Sequence, residues 1–221
     1  MRYAARMASR VVHCEDGVAF IRRARLASGH AVITSLPDSS EIPRLGFEGW
    51  KGWFVDAVAA CAAAVEDGGV SVFFQTDVKR DGRWVDKGFL VQLGAERAGV
   101  HQLFHKVVCR ASPGITTFGR PAWAHLLAFS KERRLEPGQS TPDVLPRLGE
   151  MPWARAMGVE ACVAACRFVQ SQGAHTVVDP FCGLGTALAV ANQLGLDAVG
   201  VELSAKRAEK ARHLVVHRDP D

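Results

Sequence analysis

The sequence predicts an α/β fold: a doubly wound, mostly parallel sheet that carries one antiparallel hairpin strand. Three observations predict it. Short apolar runs such as RVVHC, AVITS, VSVFFQ and AVGV alternate with segments of helical spacing along the chain. Two further runs, FHKVVC and WAHLLAF, are joined by a Pro/Gly-rich connection and read as an antiparallel pair. Near the C-terminus, Val177 and Val178 lead into Asp179, a turn with two glycines and an alanine-rich run, which reads as strand, glycine loop and helix start.

Length and composition bound the answer. A chain of 221 residues can bury one full core, so a single domain spanning 1–221 is expected. The chain is 48% hydrophobic and 23% charged, the composition of a soluble globular protein, and its net charge of +4 permits a polyanionic partner without demanding one. No apolar run reaches the length of a membrane span, so no membrane partner is expected. The six cysteines include no C-x-x-C pair and no Cys/His cluster with zinc spacing, so no metal site is expected. Their pattern suits a reducing, intracellular and most simply cytoplasmic setting. Met1 to Arg10 holds three arginines and no acid, a faint likeness to an organellar presequence.

Taken in order, Arg10 to Cys14 reads as a short buried strand ended by Glu15-Asp16. Gly17 to Leu26 has helical spacing, with Val18, Ile21 and Ala24 on one face, and Gly29-His30 break it. Ala31 to Ser35 is the second strand. It runs straight into Leu36, Pro37, Asp38 and a polar cluster, a position where parallel sheets gather ligands. Gly49 to Val65 reads as a long amphipathic helix with Trp53, Val58 and Ala62 near the core, ended by Gly68-Gly69. Val70 to Gln75 is the third strand, Lys79 to Lys87 a polar excursion turning at Asp81-Gly82, and Phe89 to Ala98 a helix. After the antiparallel pair, the proline-rich stretch 131–152 reads as a surface crossover. Gly158 to Gln170 and Ala187 to Leu194 are helices, and Ala198 to Val201 is a strand ending at Glu202. Ser204 N-caps a last basic helix.

The glycine loop is the leading site candidate. It lacks the Gly-Lys-Ser/Thr of a phosphate-binding loop, and its first glycine does not directly follow the strand as in nicotinamide-binding sites. An acid, Asp179, leads the loop, and a second acid, Glu202, ends the next strand, where its oxygens suit a ribose diol. Asp179 would suit a cationic or amino-bearing ligand, or would pin the loop through backbone N–H groups. An ordinary βα turn with a buried capping aspartate also accounts for it.

Asp179-Pro180-Phe181-Cys182-Gly183-Leu184-Gly185-Thr186 closely resembles motif I of the S-adenosylmethionine-dependent methyltransferases that act on exocyclic amino groups of nucleic acids, which typically read D-P-F-x-G-x-G-T. The order of the remaining pieces resembles the circularly permuted branch of that family, in which the catalytic tetrapeptide precedes motif I. The strand ending at Glu15-Asp16, the segment Ser35-Leu36-Pro37-Asp38, the hairpin ending in His125 to Lys131 and the helix at Gly158-Val159-Glu160 fall in the corresponding order, so the resemblance covers roughly 11–214. It implies a Rossmann-like methyltransferase fold with a catalytic half over 11–130 and a cofactor-binding half over 153–215. It implies S-adenosylmethionine as cofactor. Asp179, Pro180, Phe181, Cys182, Gly183, Gly185 and Thr186 would lie around its methionine part, with Glu202 on the ribose hydroxyls and Asp16 on the adenine amino group.

Ser35, Leu36, Pro37 and Asp38 match the family's four-residue catalytic motif in part. Ser35 and Pro37 keep the types found in N4-cytosine members, whereas Leu36 replaces a proline and Asp38 an aromatic. In the family, the first side chain and a backbone carbonyl of the motif accept hydrogen bonds from the target amino group, and the aromatic stacks on the extruded base. Asp38 cannot stack, but it could accept a proton or orient the acceptor. Trp50, Trp53 or Phe47 could supply a stacking surface, or could simply pack the helix. Glu41 is a further polar group near the site.

The resemblance makes a nucleic-acid base the expected acceptor. With only about thirty residues between the third strand and the hairpin, no separate target-recognition domain fits, which favours RNA over DNA, recognition by shape, or a protein partner that supplies recognition. The basic loop Lys79 to Trp84 and the cluster Lys131, Arg133 and Arg134 are candidate contacts to nucleic acid. Two other readings stay open: methylation of a small molecule or protein side chain, and an inactive cofactor-binding assembly subunit.

Overall fold

The computed structural model describes residues 7–217; most of the presequence-like stretch lies outside them. Among the described residues, strands β1 (Arg10–His13), β2 (His30–Thr34), β3 (Ser71–Gln75), β6 (His101–Cys109), β7 (Trp123–Ser130), β8 (Val144–Leu145), β9 (Thr176–Asp179) and β10 (Asp197–Val201) form one sheet. Their spatial order is β1-β10-β9-β2-β3-β7-β6-β8. The first strand thus pairs with the last, Val12 opposite Gly200. The first five strands in that order run parallel, and β7 is antiparallel to both β3 and β6. A two-stranded hairpin, β4 (Val78–Arg80) and β5 (Arg83–Val85), stands apart and turns at Asp81 and Gly82, which have φ values of 48° and 72°.

Helices α1 (Gly17–Arg23), α2 (Gly46–Ala64) and α3 (Lys87–Arg97) follow β1, β2 and the hairpin; α4 (Val159–Ser171), α5 (Thr186–Gln193) and α6 (Ala205–His213) belong to the C-terminal part. The strands read as continuous apolar runs because both faces are covered. Ile33, Val72, Leu126 and Val177 point into one core with residues of α4 and α5. Their neighbours Val32, Phe73, Leu127 and Val178 point into another with residues of α2 and α3. Each such side chain withdrawn from water contributes about 1.5–3 kcal/mol.

Several boundaries differ from expectation. β1 is an edge strand in which only Val12 is buried, because no strand covers its outer side. α1 stops at Arg23, short of the expected Leu26, with Ala24 in extended backbone as C-cap. α2 begins at Gly46, after a single 3₁₀ turn at Pro43–Leu45, and buries Trp50, Phe54 and Cys61 beside Val58 and Ala62. The 131–152 crossover contributes β8, which pairs parallel with β6 through Val107–Val144 and Val108–Leu145. Nothing in its proline-rich composition signals a strand. No described helix is long and apolar enough to cross a membrane.

Candidate functional site

The parallel strands β1, β10, β9, β2 and β3 all end at the same edge of the sheet, so the segments that follow them converge. Asp16 after β1, Glu202 after β10, the glycine loop after β9, Ser35 to Asp38 after β2, and Gln75 at the end of β3 line one cavity. The two motifs singled out in the sequence therefore face the same space.

Asp179 closes β9 and is buried. Its Oδ1 accepts from the Thr34 hydroxyl at 2.6 Å and from Phe181 N at 3.1 Å. The carboxylate thus pins the loop through a backbone N–H, as one of the alternatives required. Burial pushes its pKa up to about 7; the two hydrogen bonds oppose that rise and nearby Glu202 adds to it. Gly183 and Gly185 have φ values of 57° and 87°, in the left-handed region that favours glycine. A Cβ at Gly183 would lie 2.9 Å from the Trp153 ring. Cys182 N donates to Val201 O at 3.0 Å, fastening the loop to β10, and burial pushes the Cys182 thiol up, so it stays protonated. Thr186 opens α5 at the cavity wall, and its buried Oγ1 has no protein partner among the described residues.

Asp16 N-caps α1 by accepting from Ala19 N at 2.8 Å. The helix start packs directly on the loop: a Cβ at Gly17 would sit 2.0 Å from the Pro180 carbonyl oxygen. Glu202 is 7% exposed. Its Oε1 accepts from Ser204 N at 2.7 Å and from Arg207 Nε and Nη2 at 2.9 and 2.8 Å. All three bonds fall on that one oxygen.

The segment Ser35 to Asp38 is held from below. Leu36 is buried in the core beneath α2. The Pro37 carbonyl accepts from Trp50 Nε1 at 3.1 Å. Trp50 is fully buried, so it anchors this segment and is no stacking surface, whereas Trp53 does line the cavity. Asp38 is also buried, and both of its oxygens are engaged: Oδ1 by the ammonium of Lys87, Oδ2 by Arg120 Nη2 at 2.6 Å. Neither oxygen is left directed at an acceptor, which weakens the idea of Asp38 as a base. Glu41 accepts from Asp38 N at 3.0 Å and pairs with Arg155 at 2.6 Å.

Lys87 is the first residue of α3 and is buried. Burial pushes its ammonium pKa down, and the Asp38 carboxylate pulls it back. Asp77 fixes its backbone. Asp77 Oδ1 accepts from Lys87 N at 2.8 Å and from His125 Nε2 at 2.9 Å, while Oδ2 accepts from Trp84 Nε1 at 2.9 Å. Burial acts to raise the Asp77 carboxyl, but the bonds from His125 and Trp84 prevail and hold it below the usual value.

Of the two basic clusters, the hairpin lies next to the site. Lys79 N donates to Gly119 O at 3.0 Å, joining it to the β6–β7 connection that carries the cavity-lining Arg110 and Arg120. Lys131, Arg133 and Arg134 lie at the opposite end of the sheet, since Phe129 pairs with Ser71 while His125 pairs with Gln75. They are tied to Asp67, the Gly68 carbonyl and His101.

Sequence reasoning missed Gln75, Lys87, Arg110, Arg120 and Trp153, all of which line the cavity. Gln75 was open to the same strand-end argument that picked out Ser35. The others reach the cavity from a helix start and from long connections with no motif of their own.

No protein-family model and no curated protein sequence matches the chain. Solved structures do. A protein from Thermus thermophilus described as a candidate DNA modification methylase, complexed with S-adenosyl-L-methionine, superposes with a TM-score of 0.68 at 22% identity, over 92% of this chain and 93% of that one. The M1.HpyAVI–SAM complex gives 0.60 at 14% identity, over 92% and 97%. The cytosine-N4-specific PvuII DNA methyltransferase gives 0.65 at 14%, over 96% and 89%. The eight-stranded sheet with its antiparallel β7 is the Rossmann-like fold that the chain shares with these proteins.

Proposed function

We propose that the protein is an S-adenosylmethionine-dependent methyltransferase acting on an exocyclic amino nitrogen of a nucleic-acid base, with DNA ahead of RNA. One observation carries the reading: the glycine loop and Ser35 to Asp38, read as donor and acceptor segments, line one cavity, and Thr34, just before the second segment, is hydrogen-bonded to Asp179 of the first. The residues present fit the cofactor. A glycine cradle, an unpartnered Thr186 hydroxyl and two acids at adjacent strand ends offer acceptors for amino and diol groups and room for close approach. Glu202 would take the ribose hydroxyls, Asp16 the adenine amino group, and the loop with Thr186 the methionine part. The cofactor supplies the methyl group. The Pro37 carbonyl is taken by Trp50, and Ser35 lines the cavity, so the Ser35 side chain and a remaining backbone carbonyl of the segment would accept the amino protons and orient the nitrogen. The neighbouring strands β2 and β9 support the permuted order, since β2, which leads into Ser35 to Asp38, comes before β9, which leads into the glycine loop, along the chain.

The expectation of RNA rested on compactness. That argument loses its force, because two of the structures above are covered to 93% and 89% and are described as a candidate DNA modification methylase and a DNA methyltransferase. A basic approach to the acceptor segment supports nucleic acid over a small molecule: Lys87, Arg110 and Arg120 line the cavity there, and the adjoining wall carries Lys79, Arg80 and exposed Trp84 and Phe118. Incubation with methyl-labelled cofactor and separate DNA and RNA pools tests the reading. Label in DNA is expected; no label in either pool while cofactor binding is intact overturns it.

A further inference from the structure

Gln75 is 1% exposed, yet among the described residues neither its Oε1 nor its Nε2 has a partner, although it lines the cavity. A buried amide with both ends unmade costs roughly 1–3 kcal/mol for each unsatisfied group. Such an orphan at a cavity wall is satisfied when a ligand arrives. The Gln75 amide sets an N–H donor beside a carbonyl acceptor in one plane, the pattern that pairs with the polar edge of a base.

Beside it lies a second imbalance. Lys87, Arg110 and Arg120 line this end of the cavity, and Asp38 is the carboxylate that faces Lys87 and Arg120. Among the described residues Arg110 has no such partner: its Nη1 is buried and unpartnered. Burial pushes the Arg110 pKa down, and neighbouring Arg120 pushes it further. Two neighbouring guanidinium groups, of which only Arg120 meets the Asp38 carboxylate, leave unmet donors suited to an oxyanion, which a guanidinium fork binds through paired N–H bonds.

Resting on the methyltransferase reading, we propose that the acceptor end of the cavity is a nucleotide sub-pocket: Gln75 pairs with the polar edge of the acceptor base, and Arg110 with Arg120 holds a phosphate of the same nucleotide. Charge thereby replaces the aromatic stacking surface that Asp38 cannot provide. Because the phosphate belongs to a free nucleotide or to a strand, both forms are tested.

The experiment titrates the protein, loaded with S-adenosylhomocysteine, with nucleosides, their 5′-monophosphates and short single-stranded oligonucleotides. Monophosphates are expected to bind at least tenfold tighter than nucleosides. Arg110→Gln is expected to remove that difference. Gln75→Leu is expected to weaken nucleoside and nucleotide alike by about tenfold and to leave the difference between them. S-adenosylhomocysteine affinity, unchanged in both variants, shows that each is folded. Equal affinity for nucleoside and monophosphate, or a difference that survives Arg110→Gln, overturns the sub-pocket. Methyl transfer from labelled cofactor runs in parallel. Transfer without phosphate dependence overturns the sub-pocket and leaves the methyltransferase reading standing. Phosphate-dependent binding without transfer to any base leaves the sub-pocket standing and overturns that reading. Transfer to the monophosphate or to the oligonucleotide supports the sub-pocket and identifies the phosphate's source.

Discussion

Thr34 Oγ1 donates to Asp179 Oδ1 at 2.6 Å across 145 residues of chain, joining the last residue of β2 to the last residue of β9. Both residues are buried; Thr34 directly precedes Ser35, and Asp179 opens the glycine-loop motif. The bond therefore sets the spacing between the glycine loop and Ser35 to Asp38. Thr34→Val keeps the shape and removes the donor. Because that donor helps hold the Asp179 carboxyl down against burial, its loss raises the carboxyl further and costs about 1–3 kcal/mol at pH 8. Urea midpoints of wild type, Thr34→Val and Thr34→Ser measure it; Thr34→Ser should lie near wild type.

The titration of Asp179 gives a second prediction, whose sign follows from its direction. Burial raises the folded-state value to about 7 from 3.8, so between these values the folded protein holds a proton that the unfolded chain releases. The stabilisation is complete below the unfolded value and is lost as pH rises through the folded one. It amounts to about 4 kcal/mol. Unfolding free energy measured at pH 4.5, 6 and 7.5 should fall more steeply in wild type than in Asp179→Asn, which cannot titrate. A cationic ligand favours the carboxylate, so S-adenosylmethionine affinity should rise with pH up to about 7, with proton release detectable by calorimetry in buffers of different ionisation enthalpy.

The glycine at the start of α1 carries a third. A Cβ on Gly17 would lie 2.0 Å from the Pro180 carbonyl oxygen and 3.0 Å from the Phe181 ring, so backbone has to move. Gly17→Ala should cost about 1–3 kcal/mol and weaken S-adenosylhomocysteine binding more than tenfold by displacing the loop. Gly52, exposed on α2 with nothing within 4 Å of its missing Cβ, is the control. Gly52→Ala should stabilise by about 0.5–1 kcal/mol and leave binding unchanged.

The fold was legible because each signal was local and repeated. Short β-branched and aromatic runs such as VSVFFQ signal buried strands, and Asp81-Gly82 signals a turn. The same locality explains why Asp179, Gly183 and Glu202 stood out, since loop and strand end lie within one βαβ unit. What stayed hidden was long-range. Lys87 reads as the end of a polar excursion until α3 is packed against β3, where its ammonium meets Asp38. Trp50 and Trp53 sit on the same helix with the same side chain, and only packing decides that one anchors Pro37 and the other reaches the cavity. Arg110 and Arg120 flank a glycine- and proline-containing connection whose path no periodicity reveals.

The connection between β6 and β7 also exposes Phe118, at 94%, beside the hairpin that exposes Trp84 at 49%. Lys79 and Arg80 place their charges over the rings of Trp84 and Phe47, at 5.2 and 4.6 Å. Aromatic faces interleaved with cations are the means by which proteins hold unpaired bases. Phe118→Ser should weaken binding of a single-stranded oligonucleotide by about 1–3 kcal/mol, seen by fluorescence anisotropy, with the unfolding midpoint unchanged. Lys79→Gln should reduce the salt dependence of the same binding by about one unit of slope.

Asp38 and Lys87 yield the last prediction. Their side chains are 12% and 3% exposed, and Arg120 completes the cluster from the surface. Removing the carboxylate leaves a buried ammonium without its counter-charge, which typically costs 3–5 kcal/mol, whereas replacing the pair by apolar side chains is often neutral. Asp38→Ala should therefore lower the urea midpoint sharply, and Asp38→Ala/Lys87→Met should recover most of the loss. If Asp38 serves only to hold Lys87 and Arg120 in place, the double variant also keeps cofactor affinity while methyl transfer falls, because the cationic acceptor end has lost its form. If Asp38 were a base, transfer would instead fall by about 10²-fold or more in Asp38→Asn with a changed pH profile. Stability and transfer measured on the three variants at pH 6 and 8 separate the two roles, and the geometry, with both carboxylate oxygens already engaged, favours the first.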